Sequence, residues 1–230
     1  MYRLYIANQN YSSWSLRPWV LMRELGIAFE ERRLRFGDAA AWERYRSVCP
    51  SGKVPCLIDG ERAVWDSLSI TEYLAEQHRT VWPQDASARA WARSAAAEMH
   101  SGFNELRNRC SMSCGIRARL KESPAALERE ITRLGTSWND GLRQFGGPFL
   151  AGQAFTAVDA FYAPVAFRIQ TYGLSLDPAC MAYVERLLAL PAMREWYAAG
   201  LAETWRDPPH EDEIERMATI TEDLRAQQGA

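Results

Sequence analysis

A β-type run, Tyr2-Arg3-Leu4-Tyr5-Ile6-Ala7, leads within a few residues to Tyr11-Ser12-Ser13-Trp14-Ser15-Leu16-Arg17-Pro18-Trp19. That second stretch opens an apolar, helix-like run ending at Leu25-Gly26. Strand, hydroxyl-rich turn and helix start, in that order, restrict this chain more than any other feature. The first N–H groups of a helix have no intrahelical partner, and the aligned peptide dipoles add positive potential there. The turn is therefore a place to hold an anion. Ser12, Ser13 and Ser15 put small donors at it. Pro18 fits the first helical turn, where its missing N–H costs nothing. Leu16, Trp19 and Val20 share a face, and Gly26 is a stop signal.

The first ~80 residues read as mixed α/β by periodicity and turn signals. Phe29 to Leu34 is a second strand, charged enough to be an edge, and Asp38 to Arg46 a short helix. Val54-Pro55-Cys56-Leu57-Ile58 and Ala63-Val64-Trp65 flank Asp59-Gly60, a hairpin turn. Asp66-Ser67 then caps a helix through Leu74. The pattern breaks from Thr80 to Ser87, an interdomain linker separating residues 1–80 from residues 88–230. Helices dominate beyond it. The expected helices are Ala88 to Asn108, Pro124 to Phe145, Ala160 to Ile169, Pro178 to Leu190 and Ala192 to Leu201. Thr156-x-x-Asp159 is a capping box for the apolar run at 160–169. The tail from His210 to Ala230 reads as a charged helix with Ile214, Met217 and Ile220 as a thin apolar stripe.

The net charge of -2 gives no reason to expect nucleic acid or an anionic membrane as partner. No apolar run approaches the ~18 residues that span a bilayer. Met1 leads straight into the first strand without a basic-then-apolar leader, so a cytoplasmic location is expected. Cys49, Cys56, Cys110, Cys114 and Cys180 are odd in number and irregular in spacing, which fits reduced thiols. Cys110-x-x-x-Cys114 lacks the second pair or nearby His that a metal would need, so no metal is expected.

Taken together, Ser12-Ser13-Trp14-Ser15, Lys53-Val54-Pro55, Asp66-Ser67 and Thr156-Ala157-Val158-Asp159 make the chain resemble a cytosolic glutathione transferase over nearly its full length. The resemblance is nearest to the zeta-like, serine-type bacterial members. It implies an N-terminal thioredoxin-like α/β domain that binds glutathione and a C-terminal all-helical bundle that binds the second substrate. It also implies a homodimer, glutathione as co-substrate, a small electrophile as partner, and a detoxification role.

The same resemblance assigns residues. Ser12, the first of the pair, is the activating hydroxyl, with Ser13 as the neighbouring alternative, and Ser15 supports the sulfur site. Val54-Pro55, with a cis peptide bond, clamps the cysteinyl part. Ser67 and Asp66 meet the γ-glutamyl end, and Lys53 the glycyl carboxylate. The second substrate lies between the halves, against Asn10, Tyr11 and Trp14 on one side and the helical face of His100, Phe103, Asn104, Arg107 and Asn108 on the other. Arg107 with Asn104 and Asn108 would meet an anionic group of either substrate. Two positions depart from the zeta pattern. Trp14 stands where a Cys usually follows the serine pair. Where an Arg would meet a dicarboxylate, counting reaches Thr171, with Arg168 one turn away. Conjugation is thus the first expectation. Zeta-type cis–trans isomerisation, as of maleylacetoacetate, and a glutathione-binding protein with little turnover are the alternatives.

The chemistry required is modest. A free thiol titrates near ~8.5, and lowering that by ~2 units needs roughly 3 kcal/mol of preference for the anion. The protein hydroxyl would donate to sulfur, and the attacking atom would belong to the tripeptide.

Overall fold

The structure is a computed structural model that describes residues 1–226. Strand β1 (Tyr2–Ile6) buries Leu4 and Ile6 completely, as the alternation of a half-covered strand requires. Helix α1 (Ser13–Glu24) carries the chain across to β2 (Phe29–Arg33), which runs parallel to β1 at the sheet edge. After α2 (Ala39–Arg46), β3 (Cys56–Asp59) pairs antiparallel with β1 and turns through Asp59-Gly60 into β4 (Arg62–Val64). Gly60 takes φ of 60° in that turn, where a side chain would be strained. The sheet order is β2-β1-β3-β4, and α3 (Ser67–Ala75) packs against α1, β3 and β4. The thioredoxin-like α/β half is as expected.

The second half is built from α4 (Ala86–Ser101), α5 (Asn104–Arg109), α6 (Ala125–Phe145), α7 (Ala157–Tyr172), α8 (Pro178–Ala189), α9 (Pro191–Ala202) and α10 (Pro208–Met217). Helix α7 lies at its centre and, apart from Gln170, is buried along its whole length. It packs on α4 and α8 and also on α1, so the two halves share one core. No helix among the described residues is long and apolar enough to cross a membrane.

Two expectations fail here. The continuous helix expected from Ala88 to Asn108 breaks at Gly102-Phe103, where Phe103 adopts φ of 53° and its side chain is driven into the core. Gly102 approaches the Glu98 carbonyl so closely that a Cβ would lie 2.9 Å from it. The expected all-helical second half also contains a ribbon, β5 (Ile116–Leu120) paired antiparallel with β6 (Ala218–Asp223). The tail is thus α10 followed by a strand, and its last four positions lie outside the described residues. Ile-Arg-Ala-Arg-Leu and Ala-Thr-Ile-Thr alternate with a period of two, which suits a ribbon better than a helix face.

The capping box at α7 forms as expected. The Asp159 carboxylate accepts from Thr156 N at 2.9 Å, Leu150 N at 3.1 Å and the Tyr183 hydroxyl at 2.9 Å. Asp159 is fully buried, and burial raises its pKa to about 6 against the pull of those donors. Because the folded pKa lies above the ordinary value, the folded state holds a proton that the unfolded chain releases, so stability falls as pH rises through this interval. Asp159→Ala should orphan three donors and destabilise the fold by about 2–4 kcal/mol in denaturant titration. Asp159→Asn should abolish the slope in stability that this carboxyl causes between about pH 4 and about pH 6.

Candidate functional site

The turn from β1 into α1 opens on a cavity of about 400 Å³ lined from both halves. Tyr11, Ser12, Ser13 and Trp14 come from the turn, and Lys53 and Val54 from the approach to β3. Arg107 and Asn108 of α5, Arg168 of α7 and His210 of α10 close the far side. Part of each expected set therefore meets at one place: Ser12, Ser13, Lys53 and Val54 for the tripeptide, and Tyr11, Trp14, Arg107 and Asn108 for the co-substrate.

The hydroxyls have distinct surroundings. Ser12 is the N-cap position of α1. Its Oγ donates to Ser15 Oγ at 2.7 Å, and Ser15 Oγ also accepts from Ala7 N at 3.1 Å. Ser15 is fully buried and absent from the cavity wall, so it supports Ser12 and β1 rather than touching a ligand. Ser13 Oγ, on the wall, accepts from Arg168 Nη2 at 3.3 Å.

Cations crowd this region. The guanidiniums of Arg17 and Arg107 both pack on the Trp14 indole, 4.2 and 4.8 Å from its ring centre. Arg17 is buried with Nε and Nη1 lacking any partner among the described residues. Burial first, then Arg168 and Arg107, lower its pKa to about 9. Burial likewise brings Arg168 down to about 10. His100 stands edge-on to Trp14 at 5.3 Å, with Nε2 3.4 Å from Asp66 Oδ2. Burial, aided by Arg17 and Arg107, holds the His100 pKa below its ordinary value despite Asp66.

The Val54–Pro55 bond is cis. Lys53 faces the cavity, and its carbonyl accepts from the Tyr45 hydroxyl at 2.8 Å. Asp66 caps α3 by accepting from Leu68 N at 3.0 Å. Ser67 does not cap it: its hydroxyl is buried with no partner among the described residues. Neither residue lines the cavity itself. Asp66 connects to it through His100 and Arg17, both of which pack on Trp14.

Three expected wall residues stand elsewhere. Asn10 is a buried strut, with Nδ2 donating to Ser113 Oγ at 3.0 Å and Oδ1 accepting from Gly115 N at 3.0 Å. Phe103 packs in the core, and Asn104 is exposed at the start of α5. The break after Ser101 rotates these two off the face that Arg107 and Asn108 keep. Tyr11 is on the wall, and its hydroxyl donates to Glu211 Oε1 at 2.7 Å.

Sequence reasoning missed the contribution of α10. His210 Nδ1 is bonded to Asp207 Oδ2, and its ring lies 5.0 Å from Tyr11 and 5.1 Å from Phe36. The available signal was Asp207-Pro208-Pro209-His210, a helix-start pattern with Asp and His on adjacent turns. Arg225, buried beyond β6, bonds Glu211 through Nη1 at 2.6 Å and Asp223 through Nη2 at 2.7 Å, and donates to the Tyr11 hydroxyl at 3.2 Å. The tail is thereby tied to the residue next to Ser12.

A thioredoxin-like sheet joined to a helical half, with a ligand cavity between them at the start of α1, defines a class of glutathione-dependent protein. Residues 11–77 match the family model for the glutathione S-transferase N-terminal domain, and residues 85–199 that for its C-terminal domain. The chain belongs to the glutathione S-transferase family, whose co-substrate is glutathione. It is 25% identical to a probable maleylacetoacetate isomerase of Vibrio cholerae, covering 80% of this chain and 90% of the relative. It is 27% identical to a zeta-class glutathione S-transferase of Euphorbia esula, covering 70% and 73%. Its fold is similar to a Burkholderia glutathione transferase homologue solved with bound glutathione, with a TM-score of 0.64 and 22% identity over 86% of this chain and 97% of that one.

Arg225→Ala should leave Glu211 and Asp223 unpaired and loosen the tail. The expected loss is about 2–3 kcal/mol, less than for a fully buried pair because Asp223 is half exposed. Limited proteolysis within 218–226 should accelerate while the sheet half stays resistant.

Proposed function

We propose that this chain binds glutathione between Lys53 and Ser67, holds its sulfur as a thiolate at Ser12, and directs it onto a small electrophile in the cavity. The observation that carries this reading is the hydrogen-bond chain Ala7–Ser15–Ser12 at the start of α1, opening on the same cavity as Lys53 and Val54. Each hydroxyl both donates and accepts, so the Ser12–Ser15 pair reverses direction when an anion arrives. Ser15, already accepting from Ala7, then donates to Ser12, and Ser12 donates to sulfur. The buried, unpartnered Ser67 hydroxyl at the start of α3 supports a carboxylate contact for the γ-glutamyl end, with Asp66 toward its ammonium. Lys53 on the cavity wall supports a contact to the glycyl carboxylate.

One observation favours the isomerase variant of this chemistry. Arg168 reaches the cavity and bonds Ser13, whereas Thr171 is buried and donates to the Ser113 carbonyl. With Arg107 on the same wall, it suits a co-substrate that carries a carboxylate, as the V. cholerae relative's name also suggests. Family membership further supports a cytoplasmic homodimer with a detoxifying role. Light scattering at twice the chain mass checks the dimer.

Ser12→Ala should raise the thiol pKa of bound glutathione by about 1–2 units, the worth of one charge-assisted hydrogen bond. The ultraviolet thiolate band, titrated with pH, measures this. Ser13→Ala should leave that titration nearly unmoved, and the opposite pattern would transfer the role to Ser13. Arg168→Met should raise KM for a maleylacetoacetate-type substrate at least about tenfold, consistent with a lost charged contact of 1.5–3 kcal/mol. It should change KM for chlorodinitrobenzene, which bears no carboxylate, far less.

A further inference from the structure

Thiolate chemistry moves a proton as well as a sulfur. The proton must leave the thiol, and after addition to an activated alkene a proton must reach the carbon next to the activating group. Hydroxyls such as Ser12 stabilise the anion but do not carry charge near neutrality. Among the ionisable side chains on the cavity wall, Tyr11 is pushed up by burial and by Glu211, so it stays protonated and keeps donating to that carboxylate. Lys53, Arg107 and Arg168 are basic side chains without an acceptor atom. That leaves His210.

His210 is built like a proton carrier. Asp207, itself buried, accepts from Nδ1, which fixes the tautomer with a bare Nε2. Nε2 makes no hydrogen bond to any described residue, and the imidazole lies on the cavity wall. The rings of Tyr11 and Phe36 pack against it at 5.0 and 5.1 Å. The charged groups around it are Asp207 and Glu211 on its own segment and Arg225 behind Glu211. Across the cavity are Lys53, Arg107 and Arg168. The other two histidines of the chain, His78 and His100, are absent from this wall.

We propose that His210, oriented by Asp207, is the proton-transfer residue of this site. The proposal rests on the glutathione reading above. The thiol proton passes to Nε2 and leaves the sulfur with its electron pair. That pair forms the S–C bond to an alkene activated by a carbonyl or carboxyl group, and the π electrons move toward the activating group. Nε2 then returns the proton to the adjacent carbon, so no further reactant is needed. Reversal of the addition after rotation about the former double bond yields the isomer, with the proton going back through the same nitrogen.

A base changes the rate of thiol ionisation and proton return, whereas the donors at Ser12 set the equilibrium. The two roles therefore separate in His210→Gln and Asp207→Asn. His210→Gln should keep calorimetric glutathione affinity within about twofold and the same thiolate titration. Its kcat toward an activated alkene should fall by at least about 100-fold, within the range for general acid–base groups. Asp207→Asn should act in the same direction but less. His210→Ala should be partly rescued by added imidazole, which a packing role would not allow. An unchanged kcat in His210→Gln, or a loss confined to glutathione affinity, overturns the assignment while leaving the glutathione reading standing. A wild type that neither binds glutathione nor shows the thiolate band overturns both.

Discussion

Everything at this site depends on how the turn before α1 is held. Residues 8–12 leave β1 and have no strand beside them, so their backbone groups need partners from elsewhere. Tyr11 N and Ser12 N turn back onto the Asn8 carbonyl, and the far half of the chain supplies partners for Gln9 and Asn10. The Glu203 carboxylate, just after α9, accepts from Gln9 N at 2.7 Å and from Asn10 N at 3.2 Å. Burial raises the Glu203 pKa and those two N–H groups pull it back. Asn10 in turn bridges to Ser113 and Gly115. Helix α7 packs beneath α1 and delivers Arg168 to Ser13. The turn that faces the ligand is thus fixed from behind by the second half, and the hydroxyls start from set positions instead of being ordered by the ligand.

That arrangement explains which parts were legible beforehand. The strand, the serine turn, the Asp59-Gly60 hairpin and the Thr156–Asp159 box are local signals, each carried by neighbouring residues whose physics acts within one turn, whereas the cis bond at Val54-Pro55 followed from the family resemblance. The break at Gly102-Phe103 was missed because Ala88 to Asn108 has helix-forming composition almost throughout, and one Gly is tolerated in many helices. Its cost in the candidate site was Phe103 and Asn104. Asn10 looked like a wall residue by adjacency to Tyr11, but its partners lie about a hundred positions away and leave no mark on the sequence around it. His210 and Arg225 were hidden for the same reason: the β5–β6 pairing and the Tyr11–Glu211 hydrogen bond, both distant in sequence, return the tail to the turn.

The electrostatics of the cavity follow from the same packing. Arg17, Arg107 and Arg168 come from separate helices and converge on Trp14 and Ser13. Their pKa values are all lowered by burial, and Arg17 and Arg168 stay charged at neutral pH, held down only to about 9 and about 10. Asp66 near Arg17 and Glu130 near Arg107 offset part of this charge, and the remainder costs stability unless an anion enters the cluster. On the proposed reading, sulfur held as thiolate and the carboxylates of the tripeptide would provide that charge, and a carboxylate on the second substrate would add to it. Trp14 makes the cluster tolerable in the free protein by offering its ring face to two guanidiniums.

The most direct measurement is the apparent thiol pKa of glutathione bound to the unaltered protein, read from its ultraviolet absorbance across pH. A site that prefers the anion through oriented donors and a helix start should bring that value about 2 units below the ~8.5 of a free thiol. A bound tripeptide that ionises at the free value would contradict the account.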